Sequence, residues 1–304
     1  MFFNRCAIES NLPTTPDRYA GEVFTNFSKT EDTQYGFNQT QSGVNQNLTF
    51  DFFEPSGDML TDRPFVLLVP GGSFDSLSYA AMEPLAQVLA RCGYAVAIVN
   101  YRVFDGVKPM TSIQLKTAIV QAMGDVKAAL RFFRQSVNTG NTYGIDPEKM
   151  FVIGHSSGSL AGLHALHLDK LSEADAELAS IITQEGGIDG DSGNPGIDYE
   201  LRGLVNLSGA LLDMDFVENS DATMLSIHGT DDQIVPLLSD TLKFPVSDTP
   251  LIVDGSERVH EKALDEDIAS VLLRITNGNH QAPLSVTDCV PCYGIIVAYL
   301  FDSL

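Results

Sequence analysis

Two kinds of hydrophobic pattern alternate along the chain from residue 47 onward. Leu48, Phe50 and Phe52 alternate with Thr49 and Asp51, which is the period of a half-buried β-strand. Residues 64–70 form a continuous apolar run of the kind found in strands that are buried on both faces of a parallel sheet. Residues 94–99 form a second such run. The pattern therefore predicts several strands in the interior of one sheet.

Stretches with helical spacing lie between these runs. Met82, Leu85, Leu89 and Cys92 are spaced by three, four and three residues, and Gly93 follows as a helix stop. A second helix is predicted over residues 114–134. Its apolar stripe consists of Ile119, Met123, Val126, Leu130 and Phe133.

The remaining half of the chain continues the alternation. Further strands are predicted at 150–153, 203–207, 222–227 and 269–275, with helices at 160–168, 257–265 and 283–304. Strands that alternate with helices of 10–20 residues indicate an α/β fold, a mostly parallel sheet with helices on both faces. We predict a single domain over residues 47–304. Residues 1–46, rich in Asn, Thr, Gln and Ser, are predicted to be an irregular segment, partly strand, packed on it.

Residues 169–200 interrupt the alternation. They begin acidic and helical, at 169–182, and then become rich in Gly and Asp at 185–198. An insertion between a helix and a strand can cover the carboxyl ends of the sheet, so we predict a cap or lid. Asp189 and Asp191 have the spacing of a calcium loop, but the Gly and Glu positions of that motif do not match. A Gly-rich turn is the default interpretation.

Charge and composition narrow the classes of partner. The 304 residues carry 18 Lys and Arg against 40 Asp and Glu, a formal net charge of −22. This charge argues against nucleic acid, anionic membranes and polyanionic substrates. No run approaches the roughly 18 apolar residues of a membrane span. The acidity and the polar N-terminal segment favour a secreted or periplasmic protein that has lost its signal peptide, with the cytoplasm as the alternative.

Cys289 and Cys292 form a C-x-x-C pair. It is interpreted either as two small apolar residues on a helix turn or as a local disulfide. A zinc site is disfavoured because no second pair of ligands follows at finger spacing. No metal or cofactor is expected.

The segment Gly154-His155-Ser156-Ser157-Gly158 has the form G-x-S-x-G and stands between a predicted strand and a predicted helix. In that context the motif is a sharp turn that exposes the serine hydroxyl at the carboxyl edge of the sheet, and its glycines leave room for the backbone. Ser156 is therefore the candidate nucleophile. The N–H of Ser157 is predicted to lie beside it.

A serine nucleophile needs a base, and the chain contains six histidines. His280 lies in a turn-rich loop after the last predicted strand, from which it can reach the sheet edge, and it is the candidate base. His155 is expected to point away, and His228 is expected to stabilise a turn. The others are assigned to packing or to solvent: His164, His167 and His260.

The third catalytic group should be a carboxylate between Ser156 and His280 in the sequence. Asp231 and Asp232 directly follow the strand predicted at 222–227. The order Ser, Asp, His is the one found when a nucleophile elbow is combined with a triad. The carboxylate would hold the imidazole in the required tautomer.

Together these motifs resemble the α/β-hydrolase superfamily, in its esterase and lipase branch. The segment from His228 to Pro236 is similar to the acid loop H-G-x-x-D-x-x-V-P, and this resemblance implies that Asp232 is the acid. The segment from Pro70 to Phe74 resembles the oxyanion loop H-G-G-G-F, with Pro in place of His and Ser73 in place of the third Gly.

The resemblance also has implications for the site and the activity. It implies an oxyanion hole formed by Gly72, Ser73 and Ser157, with Phe74 at the substrate. Tyr101, within the segment N-Y-R, also matches this branch and is assigned a structural role. The implied activity is that of a serine esterase that cleaves small or polymeric carboxylic esters through an acyl-enzyme. The alternatives are a serine peptidase of the same fold and a non-catalytic binding module.

Overall fold

A computed structural model describes residues 17–218, 222–248 and 250–304. Its centre is an eight-stranded sheet in the order β1-β2-β4-β3-β5-β6-β8-β11. The strands of this sheet are β1 (Phe27–Gln39), β2 (Asn45–Pro55), β3 (Arg63–Val69), β4 (Ala95–Val99), β5 (Ile145–His155), β6 (Gly203–Leu207), β8 (Thr223–Gly229) and β11 (Ser270–Ile275).

The sheet is mostly parallel. β2 pairs antiparallel with both of its neighbours, β1 and β4, whereas the pairs from β4 to β11 are all parallel. Every residue of β3, β4 and β6 is buried, as the continuous apolar runs at 64–70 and 94–99 predict for β3 and β4. The carboxyl ends of β5, β8 and β11 consequently meet at one edge of the sheet.

Helices cover both faces of the sheet. α1 and α6 contribute to the apolar core on one face, and α2 and α3 to the core on the other. The helices are α1 (Tyr79–Cys92), α2 (Ser112–Asn138), α3 (Ser157–His167), α4 (Ala176–Gln184), α5 (Ser256–Asp265) and α6 (Cys292–Asp302). The predicted α/β fold with helices on both faces is thus confirmed.

A small second sheet stands beside the main one. It consists of β7 (Ala210–Leu211), β10 (Ile252–Gly255) and β9 (Ser239–Thr241), with β10 in the centre and both pairings antiparallel. β9 and β10 belong to the connection between β8 and α5. This connection also contains the acid loop, and the N–H of Lys243, just after β9, donates to the carbonyl of Ile234 in that loop (2.8 Å).

The segment before residue 47, predicted to be irregular and partly strand, includes β1, which pairs with β2 and forms the edge strand of the main sheet. The closing helix begins only at Cys292, because residues 282–284 form a separate 3-10 turn and Cys289 is linked to Cys292 by a disulfide.

Residues 185–198 pack along α2. Lys127 donates a hydrogen bond to the carbonyl of Ile188 (2.9 Å), and Arg131 donates to the carbonyls of Asp189 (2.9 Å) and Gly193 (3.0 Å). These contacts hold the Gly-rich segment on the flank of the helix layer. They lend no support to the predicted lid, which stays a prediction.

Among the described residues, none of the helices has the length and apolar character that crossing a membrane requires. The same part of the chain contains no cluster of His, Cys, Asp or Glu suited to a metal ion.

Candidate active site

Ser156 occupies a sharp turn between β5 and α3. Its backbone has φ 55° and ψ −127°, a conformation that a residue with a side chain rarely adopts. The N–H of Ser156 donates to the carbonyl of Leu207 at the end of β6 (2.9 Å), which ties the turn to the neighbouring strand. The predicted nucleophile elbow is therefore present as a structural feature.

Close backbone contacts explain the glycines on either side of the elbow. A Cβ at Gly154 would lie 2.5 Å from the Cα of Ser159, and a Cβ at Gly158 would lie 2.2 Å from the carbonyl oxygen of Val69. Both distances are far below van der Waals contact, and both neighbours are backbone atoms that cannot rotate away. The turn thus depends on these glycines for space.

We expect Gly158→Ala to lower the free energy of unfolding by about 1–3 kcal/mol, because the methyl group forces α3 away from β3. Gly294→Ala is the matched control: no atom lies within 4 Å of the added Cβ, and the residue is in α6. This control should be neutral or stabilising by about 0.5–1 kcal/mol. Urea unfolding of both variants checks the prediction, and equal stabilities would contradict it.

The three predicted triad side chains are hydrogen-bonded in a line. The Oγ of Ser156 lies 2.8 Å from Nε2 of His280, and Nδ1 of His280 lies 2.7 Å from Oδ2 of Asp232. Each distance is that of a normal hydrogen bond. One ring nitrogen of His280 thus contacts the hydroxyl and the other contacts the carboxylate, which is the geometry that nucleophile activation requires.

Asp232 is held as an anion. Its Oδ1 accepts hydrogen bonds from the N–H groups of Ile234 (2.8 Å) and Val235 (3.0 Å). Burial alone would raise the pKa of the Asp232 carboxyl, but hydrogen bonds from His228 and His280 outweigh burial and keep this pKa well below its usual range. The carboxylate is therefore available to the imidazole of His280 at neutral pH.

His155 does not point away from the site, as the sequence analysis expected. Its Nε2 lies 3.2 Å from the carbonyl oxygen of His280, and the centres of the two imidazole rings are 5.2 Å apart. Burial lowers the pKa of His155 to about 4, so its neutral ring donates this hydrogen bond. The expectation was wrong because the loop that carries His280 lies against the end of β5, and the side chain of His155 faces that loop.

The loop at residues 70–76 lies against the nucleophile. A Cβ at Gly71 would come within 2.9 Å of the Cβ of Ser156, which shows how closely this backbone approaches. The carbonyl of Gly72 accepts from the N–H of Asp75 (3.0 Å) and thereby closes a turn. Within the described part of the chain, the N–H groups of Gly72, Ser73 and Ser157 have no acceptor.

Tyr101 joins this loop to the elbow. Its hydroxyl donates to the carbonyl of Pro70 (2.8 Å) and lies 3.1 Å from Oγ of Ser157, which donates in turn. The whole side chain is buried. Tyr101 thus has the structural role assigned to it, and the role is to hold two neighbouring backbone segments in register.

Phe74 is not where the sequence analysis placed it. The side chain is fully buried, with its ring 6.1 Å from that of Tyr101 and 5.9 Å from that of Phe244. The side chain of Phe74 therefore packs against Tyr101 and Phe244 and presents no surface to a substrate. The sequence could not indicate this, because Phe244 is 170 positions away along the chain.

The burial of two histidines predicts that the free energy of unfolding decreases in acid. Burial lowers the pKa of both His155 and His164 to about 4, against 6.5 when unfolded. Between pH 6.5 and 4 the unfolded chain therefore binds more protons than the folded one, and stability falls as the pH falls. Each histidine should remove roughly 2–3 kcal/mol by pH 4.

Urea unfolding at pH 7, 5.5 and 4.5 measures this loss directly. His164→Gln should make the decrease shallower, since glutamine does not titrate. A decrease of the same size in His164→Gln would remove His164 from the explanation.

Comparisons with known proteins agree with this fold. Residues 50–187 match the family model described as BD-FAE. A search of curated proteins found no match. Among solved structures, a truncated carbohydrate esterase from gut microbiota is similar, with a TM-score of 0.61 and 15% identity over 93% of this chain and 97% of that one.

Esterase 2 of Thermogutta terrifontis is similar too. Its propionate-bound structure has a TM-score of 0.61 and 17% identity over 94% of each chain. Its structure phosphorylated by paraoxon has a TM-score of 0.53 and 18% identity, and covers 83% of this chain and 84% of that one. The chain thus shares its α/β fold with these esterase structures, and its residues 50–187 match the BD-FAE family model.

Proposed function

We propose that this protein hydrolyses carboxylic esters through an acyl-enzyme intermediate on Ser156. The observation that carries the proposal is the line of hydrogen bonds from Ser156 through His280 to Asp232. A hydroxyl at its ordinary pKa is a weak nucleophile, and this arrangement is the one that activates it. Neighbouring structures with the same fold are esterases, which supports the same assignment.

In the first half of the reaction, Oγ of Ser156 attacks the ester carbonyl carbon while Nε2 of His280 accepts the hydroxyl proton. Asp232 stabilises the resulting imidazolium. The tetrahedral intermediate collapses, and the alcohol leaves with the proton from His280. In the second half, water attacks the acyl-enzyme by the same route and releases the carboxylic acid and free Ser156.

The oxyanion of each tetrahedral intermediate needs hydrogen-bond donors that are in place beforehand. We assign this role to the N–H groups of Gly72, Ser73 and Ser157. Their lack of an internal acceptor and the close approach of the loop to Ser156 support the assignment. One such donor contributes about 2.7–4 kcal/mol to stabilisation of the transition state.

Esters of short acyl chains are the first substrates to test. Ser156 is only 4% exposed and His280 only 9%, so the reacting groups offer little open surface, which favours small acyl groups. The neighbour from Thermogutta terrifontis was determined with propionate and with butyrate bound.

A panel of p-nitrophenyl esters from acetate to palmitate, measured on the purified chain, tests the proposal. We expect turnover that is highest for the short esters, together with covalent labelling by a fluorophosphonate probe. A peptide anilide cleaved faster than any ester would favour a peptidase. Absence of both turnover and labelling would favour a binding module and overturn the proposal.

A further inference from the structure

A second histidine contacts the same carboxylate oxygen of Asp232 as His280 does. Nε2 of His228 lies 3.2 Å from Oδ2 of Asp232 and 3.1 Å from the carbonyl oxygen of Val235. Both of these acceptors lack a proton, so Nε2 of His228 carries the hydrogen and shares it between them. The side chain of His228 is fully buried, and that of Asp232 is 1% exposed.

The other ring nitrogen of His228 is held by buried polar groups. Nδ1 lies 2.6 Å from Oγ of Ser256, which accepts a hydrogen bond from Nδ2 of Asn206 (2.9 Å). Oδ1 of Asn206 accepts from Oγ of Ser159, in the first turn of α3 (2.6 Å). These side chains are all buried.

The contacts form a closed ring of hydrogen bonds and chain segments. It runs from the elbow helix through Ser159, Asn206 and Ser256 to His228, and returns through Asp232 and His280 to Ser156. Such a ring leaves the imidazole of His228 few alternative orientations, because rotation would leave several buried polar groups without partners.

We infer that His228 is a positioning residue for the reaction: it fixes the carboxylate of Asp232 and sets the proton affinity of the Asp232–His280 pair. This inference rests on the proposed function. The hydrogen bond from His228 stabilises the ionised carboxylate, and it stabilises the protonated pair less, because protonation compensates the negative charge. Loss of this bond therefore raises the apparent pKa of the pair, whichever of the two groups carries the proton.

Charged and titratable side chains lie beside the Asp232–His280 pair. His155 from β5 faces His280, and His228 from β8 faces Asp232. Asp231 is adjacent in the chain and exposed. Burial lowers the pKa of His155 to about 4, so His155 stays neutral over most of the range in which activity is measured.

The test compares His228→Leu, which removes the donor, with His228→Gln, whose amide nitrogen can replace Nε2 as a donor. For His228→Leu we expect kcat for p-nitrophenyl acetate to fall about 10-fold or more with little change in KM. We also expect the acid limb of the pH profile to move up by about half a unit to one unit. His228→Gln should restore most of kcat and return the acid limb towards its original position.

His164→Leu is the matched control. His164 is also a buried histidine with both ring nitrogens engaged, by the carbonyl of Leu160 (2.7 Å) and the N–H of Leu212 (3.3 Å). It has no contact with Asp232 or His280 among the described hydrogen bonds, so its loss can reduce stability but should leave the acid limb in place.

The rate of fluorophosphonate labelling, measured against pH, separates this inference from the proposed function. If the wild-type chain is labelled but does not cleave esters, the proposed function fails while the shift in labelling rate still tests His228. An acid limb that is unchanged in a folded His228→Leu variant, or equally low activity in His228→Gln and His228→Leu, would overturn the inference.

Discussion

Replacing Ser156 by alanine is expected to lower kcat for p-nitrophenyl acetate on the order of 10⁶-fold. The variant lacks the oxygen that forms the covalent intermediate, and His280 has no hydroxyl proton to accept. The remaining activity would come from the backbone donors and from binding alone. Steady-state assays at neutral pH, with fluorophosphonate labelling as a second readout, measure the loss.

Ser136→Ala supplies the matched control for this substitution. Ser136 is a buried serine of α2 whose Oγ donates to the carbonyl of Phe133 (2.6 Å), and no described hydrogen bond joins it to a triad side chain. Its activity should be close to that of the wild type. A Ser156→Ala variant that keeps more than a small fraction of wild-type turnover would contradict the assignment of the nucleophile.

His280→Ala should lose nearly as much rate as Ser156→Ala, and the double variant no more than either single one. Side chains that act as one unit show this non-additivity, because removal of any one of them disables the same step. Losses that multiply in the double variant would indicate that Ser156 and His280 act independently.

Asp232→Asn is expected to lower kcat on the order of 10⁴-fold with KM nearly unchanged. The amide preserves the shape of the side chain but removes the negative charge that stabilises the imidazolium of His280. It can also donate a proton towards Nδ1 of His280, which would favour the wrong tautomer. Pre-steady-state measurement of the acylation step identifies the affected half-reaction.

The neighbouring residue provides a sharp control for this prediction. Asp231 carries the same side chain one position earlier, is exposed, and has a 3.3 Å contact with Oγ1 of Thr230. Asp231→Asn should therefore keep nearly full activity. Sequence order alone left both residues as candidates for the acid, so a larger loss in Asp231→Asn than in Asp232→Asn would reverse the assignment.

The sequence by itself determined the fold class and the three triad side chains as candidates. The continuous apolar run at 64–70 and the helical stripe from Ile119 to Phe133 are local signals. Burial of a strand on both of its faces requires the first, and packing of one helix face against the core requires the second. The glycines around Ser156 are likewise a local requirement of the turn. These features could be predicted because the physical constraint acts within a few residues.

Only the tertiary structure decided how the candidates meet and what surrounds them. The burial of Phe74, the contact of His155 with His280, and the hydrogen bond from His228 to Asp232 all join residues from different strands and loops. The edge strand β1 is also defined by its partner, since its own pattern is only weakly amphipathic. Contacts between distant segments depend on which strands become neighbours in the sheet, and no pattern within a few residues encodes that order.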